Sequence, residues 1–308
     1  MVLISMQEIF DKTQAENKPF WQVVLDADLE ERQVTPEASQ EKMRATWRAM
    51  LESVDTYRGE RRSVSGLVGG DAQKMWEYAA GGESLCGDYL QDVIATALCV
   101  AESNACMRRI VAAPTAGACG VLPAVLVPLF RRGTVDEDAV VRALYVAAGI
   151  GAVVGYRACI AGASGGCQAE IGTASAMAAG ALTDLRGGSP IQVGHAVAMA
   201  LKNLMGLVCD PVAGLVEVPC VKRNVVGAMN AVSCADMALA GIESRVPVDQ
   251  VIDCMGDVGR RLPVEFRETA LGGLAATPFG QSVKETMEKK RKSPCACAED
   301  GDQPTQES

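Results

Sequence analysis

Three cysteines of this 308-residue chain lie in segments rich in glycine and proline. Cys167 follows Ser-Gly-Gly, Cys209 precedes Asp-Pro, and Cys220 follows Val-Pro. Most of the other cysteines lie in alanine-rich segments, where a thiol usually fills space as a small apolar side chain. A thiolate on a stiff loop is better placed to bind a soft metal. Three protein ligands rather than four would leave an open coordination position, which favours a catalytic site over a structural one.

The spacing of these cysteines is not diagnostic by itself. The sequence contains no C-x-x-C pair of the kind found in zinc knuckles and ferredoxins. On spacing alone, three unrelated buried thiols explain the pattern equally well. The chain has one histidine, His195, which excludes histidine-rich zinc and non-haem iron sites unless a partner chain donates ligands.

The composition predicts a tightly packed helical protein. Hydrophobic residues make up 49% of the chain and aromatic residues only 4%, so the core must consist of alanine, valine, leucine, methionine and glycine. Small side chains of this kind let helix axes approach closely. The net charge of −9 and the scattered basic residues argue against a nucleic-acid surface.

The sequence favours a cytoplasmic location. Residues 1–12 are charged and lack the apolar centre of a signal peptide. The longest uncharged apolar run, Ala143–Tyr156, is short for a membrane span. We therefore expect neither a membrane nor a nucleic acid as partner, and cysteines that are thiols or metal ligands rather than disulfides.

Helix-boundary signals and the lack of strand patterns predict an all-α fold. We expect an N-terminal helical extension over residues 1–60, a catalytic domain with glycine- and proline-rich loops over residues 61–285, and a disordered tail over residues 286–308. The predicted helices cover residues 36–54, a segment from residue 72, residues 84–112, a segment from residue 121, and residues 135–154, 171–185, 190–204, 224–240 and 248–260.

Three segments resemble the α chain of the bacterial iron–sulfur L-serine dehydratases. They are residues 114–117, residues 164–172 around the first of the three cysteines, and residues 201–220, which hold the other two. The likeness extends from about Ser65 to Pro278. We therefore expect the fold and activity of that family.

This resemblance implies a cofactor, a substrate and a partner. In that family a 4Fe–4S cluster is held by three cysteines, which correspond here to Cys167, Cys209 and Cys220, and the fourth iron binds the substrate. The implied reaction converts L-serine to pyruvate and ammonia, a step of amino-acid catabolism, with the open iron as Lewis acid for the leaving hydroxyl. The family also has a regulatory β part, so we expect a separate β chain and an oligomeric enzyme.

Two residues of the predicted helix after Pro190 are candidates for catalysis. His195 and Lys202 are seven positions apart and so share a helix face, which could look into the site. A lone histidine in an apolar helix is more often a core residue, and a lysine is more often solvated. The β chain is an alternative source of the catalytic base.

Four further residues are candidates for binding the substrate. Ser164 and Gly165 lie in one glycine-rich loop and Thr115 in another, and the backbone N–H groups of such loops suit an anionic carboxylate. Close helix packing explains the same glycines equally well. Lys222 follows a cluster loop and could pair with the substrate carboxylate, although a solvated lysine is the simpler interpretation.

The other cysteines have simpler explanations. Cys119 lies in the same glycine-rich loop as Thr115 and is a candidate thiol near the site. Cys295 and Cys297 lie in the predicted tail, which either carries no function or reaches the open iron and protects or inhibits it. Six cysteines are predicted to be small core residues: Cys86, Cys99, Cys106, Cys159, Cys234 and Cys254.

Other functions stay open at this point. Threonine dehydration or cysteine desulfidation on the same scaffold would leave the same ligands. A pyridoxal-phosphate dehydratase would need a Schiff-base lysine and a phosphate cradle, and the sequence carries no signature of either. A non-catalytic cysteine-rich helical scaffold is the alternative outside enzymes, and it predicts no iron and no pyruvate from serine.

Overall fold

A computed structural model describes residues 3–82 and 84–292, which form an all-α fold, as predicted. Within these residues there is no strand, and the one β-type contact is an isolated bridge between Cys209 and Arg267. Thirteen α-helices occur in the described part of the chain: α1 Met6–Glu16, α2 Phe20–Arg32, α3 Pro36–Asp55, α4 Asp71–Ala80, α5 Asp88–Ala105, α6 Val121–Arg131, α7 Glu137–Arg157, α8 Gly162–Gly165, α9 Thr173–Leu185, α10 Pro190–Leu204, α11 Cys220–Leu239, α12 Val248–Arg261 and α13 Pro278–Lys292.

Helix α9 is the centre of the core. It packs against α6, α7, α10 and α11, and nearly all of its residues are buried. Its small side chains make this possible, because a Cβ on Gly180 would lie only 2.2 Å from Cδ1 of Ile150 in α7. Close approach of helices through alanine and glycine is what the composition predicted.

The helices begin where the sequence places capping residues. The Thr35 side chain accepts a hydrogen bond from the backbone of Ala38 at the start of α3. Ser189 and Gln192 form a reciprocal capping box at the start of α10. These bonds satisfy N–H groups that have no partner within the helix.

Three helix boundaries differ from the prediction by four residues or more. Helix α5 begins at Asp88 rather than at residue 84. Helix α5 ends at Ala105 rather than at residue 112, because Met107 has a left-handed backbone with a φ of 58°, which a helix does not accommodate. Helix α11 begins at Cys220 rather than at Asn224. Pro219 stands immediately before its first turn, so this proline starts the helix.

The first three helices pack on the same core as the rest of the chain. Phe20 of α2 and Trp47 of α3 are almost fully buried, and these helices contact α7 and α5. The predicted boundary at residue 60 falls in the turn after α3 and stays a prediction. Residues 286–292 continue α13, and Cys295 and Cys297 lie outside the described residues. The disorder predicted for residues 286–308 stays a prediction.

Helix α7 is long and apolar enough to cross a membrane, by length and composition alone. However, 61% of its most apolar window is buried inside the protein, where it packs against α2, α3 and α9. A core helix has the same properties, and the packing of α7 agrees with that assignment.

Asp184, at the C-terminal end of α9, generates a stability prediction. Burial raises its pKa from the ordinary value of 3.8 to about 6, against the opposite effect of Arg142. Because folding raises the pKa of this carboxyl, its ionisation opposes folding. The protein keeps its full free energy of unfolding below the unfolded pKa, where the carboxyl is protonated in both states, and loses part of it as the pH rises through the folded pKa. We expect Asp184→Asn to raise the free energy of unfolding by about 1–3 kcal/mol at pH 8.

The gain should shrink toward pH 5 and be nearly absent at pH 4, as measured by urea denaturation across this range. Glu285→Gln, at an exposed position of α13, is the control and should show no such pH-dependent gain. An equal gain for Asp184→Asn at pH 5 and pH 8 would contradict the assignment.

Candidate metal centre

Cys167 lies between a short helix and a wide helical turn. It follows α8 and precedes the π-helical turn Gln168–Gly172. Gly166 has a φ of 76°, which a residue with a side chain rarely adopts. Gln168 connects this segment to the chain that leads to Cys209, because its N–H donates to the carbonyl of Leu207 and its Oε1 accepts from Gly206 at 2.8 Å.

Cys209 lies in an extended segment after α10. Its N–H donates to the carbonyl of Phe266 at 2.8 Å, and its own carbonyl accepts from the N–H of Glu268 at 2.9 Å. These two bonds hold the backbone of Cys209 against residues 266–268 over a separation of almost sixty positions in sequence. The position of this cysteine therefore depends on a contact that is remote in the sequence.

Cys220 is the first residue of α11. The segment before it contains the buried Glu217, whose carboxylate accepts from the hydroxyl of Ser63 at 2.6 Å and from that of Ser65. Lys222 forms an ion pair with Asp71 at 2.9 Å. These contacts join the glycine-rich loop before α4 to the segment that carries Cys220.

The fold brings the three predicted cysteines together. The sulfur atoms of Cys167 and Cys209 and a carboxylate oxygen of Glu170 lie within 4.8 Å of one another. Cys220 is not in this group of three, but it is near enough to interact electrostatically with both Cys167 and Cys209. All three thiols are free and buried.

The environments of the three thiols differ. A hydrogen bond with Cys209 and the positive charge of Arg223 lower the pKa of Cys167, although burial opposes both. The same hydrogen bond, burial and the charge of Cys167 raise the pKa of Cys209. Burial and the charge of Cys167 raise the pKa of Cys220 to about 12. A metal group that binds all three sulfurs would therefore release protons from Cys209 and Cys220.

Two buried polar residues in the first turn of α11 hold the surrounding loops. Arg223 donates to the sulfur of Cys167, to the carbonyl of Val208 and to the carboxylate of Asp210. Asn224, 1% exposed, donates from Nδ2 to the carbonyl of Gly117 and accepts at Oδ1 from the N–H of Gly120, both at 2.8 Å. The first turn of α11 therefore contacts the loop of Cys167, the loop of Cys209 and the loop that contains Gly117.

A carboxylate and a buried hydroxyl lie beside the sulfurs. Burial raises the pKa of Glu170, a hydrogen bond of irregular geometry from Thr115 lowers it, and the charge of Glu268 raises it further. Loop backbone closes around this carboxylate: a Cβ on Gly162 would lie 2.6 Å, and one on Gly117 3.4 Å, from its oxygens. The hydroxyl of Thr115 is buried and has no hydrogen-bond partner of ordinary geometry among the described residues.

The sequence matches one family of known proteins over most of its length. The family model described as the serine dehydratase alpha chain matches residues 15–275, which include every residue of the centre. The chain belongs to this family. Its members are lyases, so the protein is an enzyme subunit of that class.

Three relatives illustrate the extent of the similarity. A Bacillus subtilis (strain 168) chain named "Probable L-serine dehydratase, alpha chain" is 43% identical over 283 residues, covering 92% of this chain and 94% of the relative. The Peptoniphilus asaccharolyticus "L-serine dehydratase, alpha chain" is 40% identical over 291 residues, covering 94% and 99%. The Escherichia coli (strain K12) "L-serine dehydratase 2" is 47% identical over 182 residues, covering 58% of this chain and 40% of that protein.

The residues predicted to bind substrate do not all lie at the candidate metal centre. Thr115 lies beside Glu170. Ser164 is exposed on α8, and Gly165 packs against α12, where a Cβ on Gly259 would lie 2.9 Å from its Cα. Lys222 is exposed and paired with Asp71. The contacts of Gly165 thus agree with the packing interpretation.

His195 and Lys202 share a helix face, but that face contacts the loop after α11. The Nδ1 of His195 accepts from the N–H of Ser244 at 3.2 Å, and the Nζ of Lys202 donates to the hydroxyl of Ser244 at 3.0 Å. Ser244 follows the C-terminal end of α11, and Cys220 begins this helix, which is about 30 Å long. A catalytic role for this pair stays a prediction, and neither residue has a hydrogen bond to the described residues of the centre.

The remaining described cysteines are mixed in their exposure. Cys99 and Cys234 are buried in the core, as predicted. Cys119, for which the sequence suggested a place near the site, is also buried in the core, and its sulfur lies 3.8 Å from the carbonyl of Val100. Cys254 is exposed, contrary to the prediction, because it lies on the outer side of α12. Three others are partly buried: Cys86, Cys106 and Cys159.

Three polar residues of the centre were not predicted from the sequence. They are Glu170, Arg223 and Asn224. Each stands three or four positions after one of the cysteines, a spacing that places side chains on the same side of a helical turn. This spacing was the available signal, and it becomes informative only once a helical turn is known to begin at the cysteine.

Asn224 generates a prediction about the stability of the centre. Removing its amide leaves the buried N–H of Gly120 and the partly buried carbonyl of Gly117 without this partner, and such a loss costs about 1–3 kcal/mol for a fully buried group. We expect Asn224→Ala to lower the free energy of unfolding by at least 2 kcal/mol in urea denaturation. Asn203→Ala, at an exposed position bonded to Asn230, should cost less than 1 kcal/mol. Equal losses in the two variants would contradict a special role for Asn224.

Proposed function

We propose that this chain is the α subunit of an L-serine ammonia-lyase, which converts L-serine to pyruvate and ammonia. In this proposal Cys167, Cys209 and Cys220 hold a 4Fe–4S cluster. The observation that carries it is that the sulfurs of Cys167 and Cys209 lie together and that the helical turn which begins at Cys220 contacts both of their loops through Arg223, in a chain of the serine dehydratase alpha-chain family. The named activity of the relatives supports the choice of substrate.

The donor set suits an iron–sulfur cluster. Thiolates are the usual ligands of such clusters, and each cysteine binds a different iron, so the three sulfurs need not surround a single ion. The hydrogen bond from Arg223 to the sulfur of Cys167 is typical of the donors that surround ligand atoms in metal sites. When bound, a cluster with one iron open to substrate supplies Lewis acidity for the departure of hydroxide.

The protein itself supplies charge and hydrogen bonds for a small zwitterion. The carboxylate of Glu170 lies within reach of the sulfurs of Cys167 and Cys209, and a carboxylate at this position suits the α-ammonium group of an amino acid. The hydroxyl of Thr115 is buried beside it, in a contact that lowers the pKa of Glu170 but lacks ordinary hydrogen-bond geometry. A hydroxyl can rotate to suit its partner, so in this proposal it turns to the α-carboxylate of the same molecule when serine binds.

We also propose that a separate β chain completes the enzyme. The Escherichia coli relative is a longer protein, of which this chain matches 40%. The names of the Bacillus and Peptoniphilus relatives specify an alpha chain. The ten cysteines in the described residues are free, which suits a reducing compartment such as the cytoplasm.

The decisive experiment is anaerobic purification of the chain with a candidate β chain, followed by analysis of iron, sulfide and pyruvate. We expect about four irons per α chain, and turnover of L-serine above that of L-threonine and L-cysteine. Cys209→Ser should lose most of the iron and all measurable turnover, because a cluster needs its thiolate ligands.

Cys99→Ser is the matched control, since Cys99 is a buried thiol beside the carbonyl of Val54 and should keep iron and turnover. Cys209→Ser with full iron content and turnover would refute the ligand assignment. A wild-type enzyme that prefers threonine or cysteine would keep the assignment and change the substrate. Iron-free protein with borohydride-trappable activity would favour a pyridoxal-phosphate enzyme.

Thr115 gives a prediction that concerns the substrate alone. Thr115→Val keeps the volume of the side chain and removes the hydroxyl. We expect the KM for L-serine to rise about 10- to 100-fold, the cost of one hydrogen bond to a charged group, with iron content unchanged. Thr183→Val removes another buried hydroxyl, in the last turn of α9, where it bonds to Ala179, and should leave KM unchanged. An unchanged KM in Thr115→Val would exclude Thr115 from substrate binding.

A further inference from the structure

Arg223 is the charged side chain most closely associated with the candidate ligands. Its side chain is only 14% exposed. From Nη1 it donates to the sulfur of Cys167 at 3.3 Å and to the carbonyl of Val208 at 2.7 Å. From Nη2 it donates to the carboxylate of Asp210 at 2.9 Å. A single guanidinium therefore touches one candidate ligand and both neighbours of another, Cys209.

The partners of Arg223 are themselves anchored. Asp210 is 4% exposed, and its second oxygen accepts from the N–H of Leu274 at 2.9 Å. Val208 precedes Cys209, whose backbone is bonded to residues 266–268. Movement of the guanidinium would therefore disturb the loops of two cysteines at once.

These contacts limit the way in which Arg223 could bind the substrate carboxylate. Three of its five N–H groups already donate to protein acceptors, including both on Nη1, so a carboxylate cannot take the fork of N–H groups formed by Nη1 and Nη2. The planar fork of the guanidinium allows it to donate hydrogen bonds to three acceptors in fixed relative positions at the same time. A lysine has the charge but not the fork.

Hydrogen bonds and positive charge near a ligand sulfur have known consequences in iron–sulfur proteins. They withdraw electron density from the thiolate and so raise the reduction potential of the cluster. Outer donors of this kind also hold ligands in place, and their loss typically costs 10- to 100-fold in metal affinity.

We propose that Arg223 is a positioning residue for the cluster. Its guanidinium holds the Cys167 and Cys209 loops at a fixed separation and donates a hydrogen bond to the Cys167 sulfur. These contacts slow the loss of metal and raise the reduction potential of the cluster. This inference rests on the proposed function, since it takes the group held by the cysteines to be a 4Fe–4S cluster. It does not depend on the identity of the substrate.

The test uses the anaerobically purified wild-type enzyme and the variants Arg223→Lys and Arg223→Gln. Two properties are measured: the rate of iron loss to an excess of EDTA, and the midpoint potential of the cluster by electron paramagnetic resonance during reductive titration. We expect iron loss to accelerate about tenfold in Arg223→Lys and more in Arg223→Gln. The midpoint potential should fall in both variants, further in Arg223→Gln, with helical content by circular dichroism unchanged.

Arg157→Lys is the matched control. Arg157 is also partly buried and makes a two-pronged ion pair, with Asp253, but its contacts include no cysteine. It should keep the iron-loss rate and potential of the wild-type enzyme. If either Arg223 variant does not fold, Asp210→Asn serves instead, because it keeps the side-chain shape, weakens the anchor of the guanidinium and should change both properties in the same direction by a smaller amount.

The outcomes separate this proposal from the proposed function. Iron loss and potential equal to wild type in the folded variants would overturn the role of Arg223, and so would equal changes in Arg157→Lys. A wild-type enzyme that holds the cluster but does not act on serine would overturn the proposed substrate. The same two measurements would then still decide the role of Arg223. A wild-type enzyme that takes up no iron would overturn both.

Discussion

The first turn of α11 is the constraint on which the candidate centre depends. Successive residues of a helix point in directions about 100° apart, so a single turn can serve several neighbours at once. Cys220 supplies a sulfur, Lys222 pairs with the start of α4, Arg223 reaches the other two cysteine loops, and Asn224 holds the loop that contains Thr115 and Gly117. The rest of the centre is arranged around this turn, because the backbone of the turn cannot move without unwinding the helix.

Buried carboxylates form a second layer behind this turn. Glu102, fully buried, accepts from the hydroxyl of Tyr57 and from the N–H groups of Gly70 and Asp71 at the start of α4. Glu217 accepts from Ser63 and Ser65. A buried charge is tolerated only when it is well hydrogen-bonded, and the partners of both carboxylates are in or beside the glycine-rich loop before α4. This loop is therefore held at both ends against the segments that carry the centre.

The small-residue core explains how a helical bundle can hold such a polar centre rigidly. Around α9 the helices approach until a single added Cβ would collide with a neighbour. Cores packed to this density transmit displacements rather than absorb them. The loops at the ends of α9, α10 and α11 are consequently fixed by the helices, although they contain glycine and proline. The aromatic residues that a looser core would need are few, and Trp47 and Phe20 serve to attach the N-terminal helices.

The sequence by itself determined the helical class and most of the helix boundaries, because caps, prolines and glycines act through neighbouring residues and local backbone geometry. It singled out the three cysteines as candidate ligands. It also carried the family resemblance that implies the cluster. Only the tertiary structure decided which polar groups join the cysteines. The bond between Cys209 and Phe266, the reach of Arg223 to Cys167, and the contact of His195 with Ser244 all connect remote parts of the chain. Such pairings follow from the packing of whole helices, and a local pattern does not encode them.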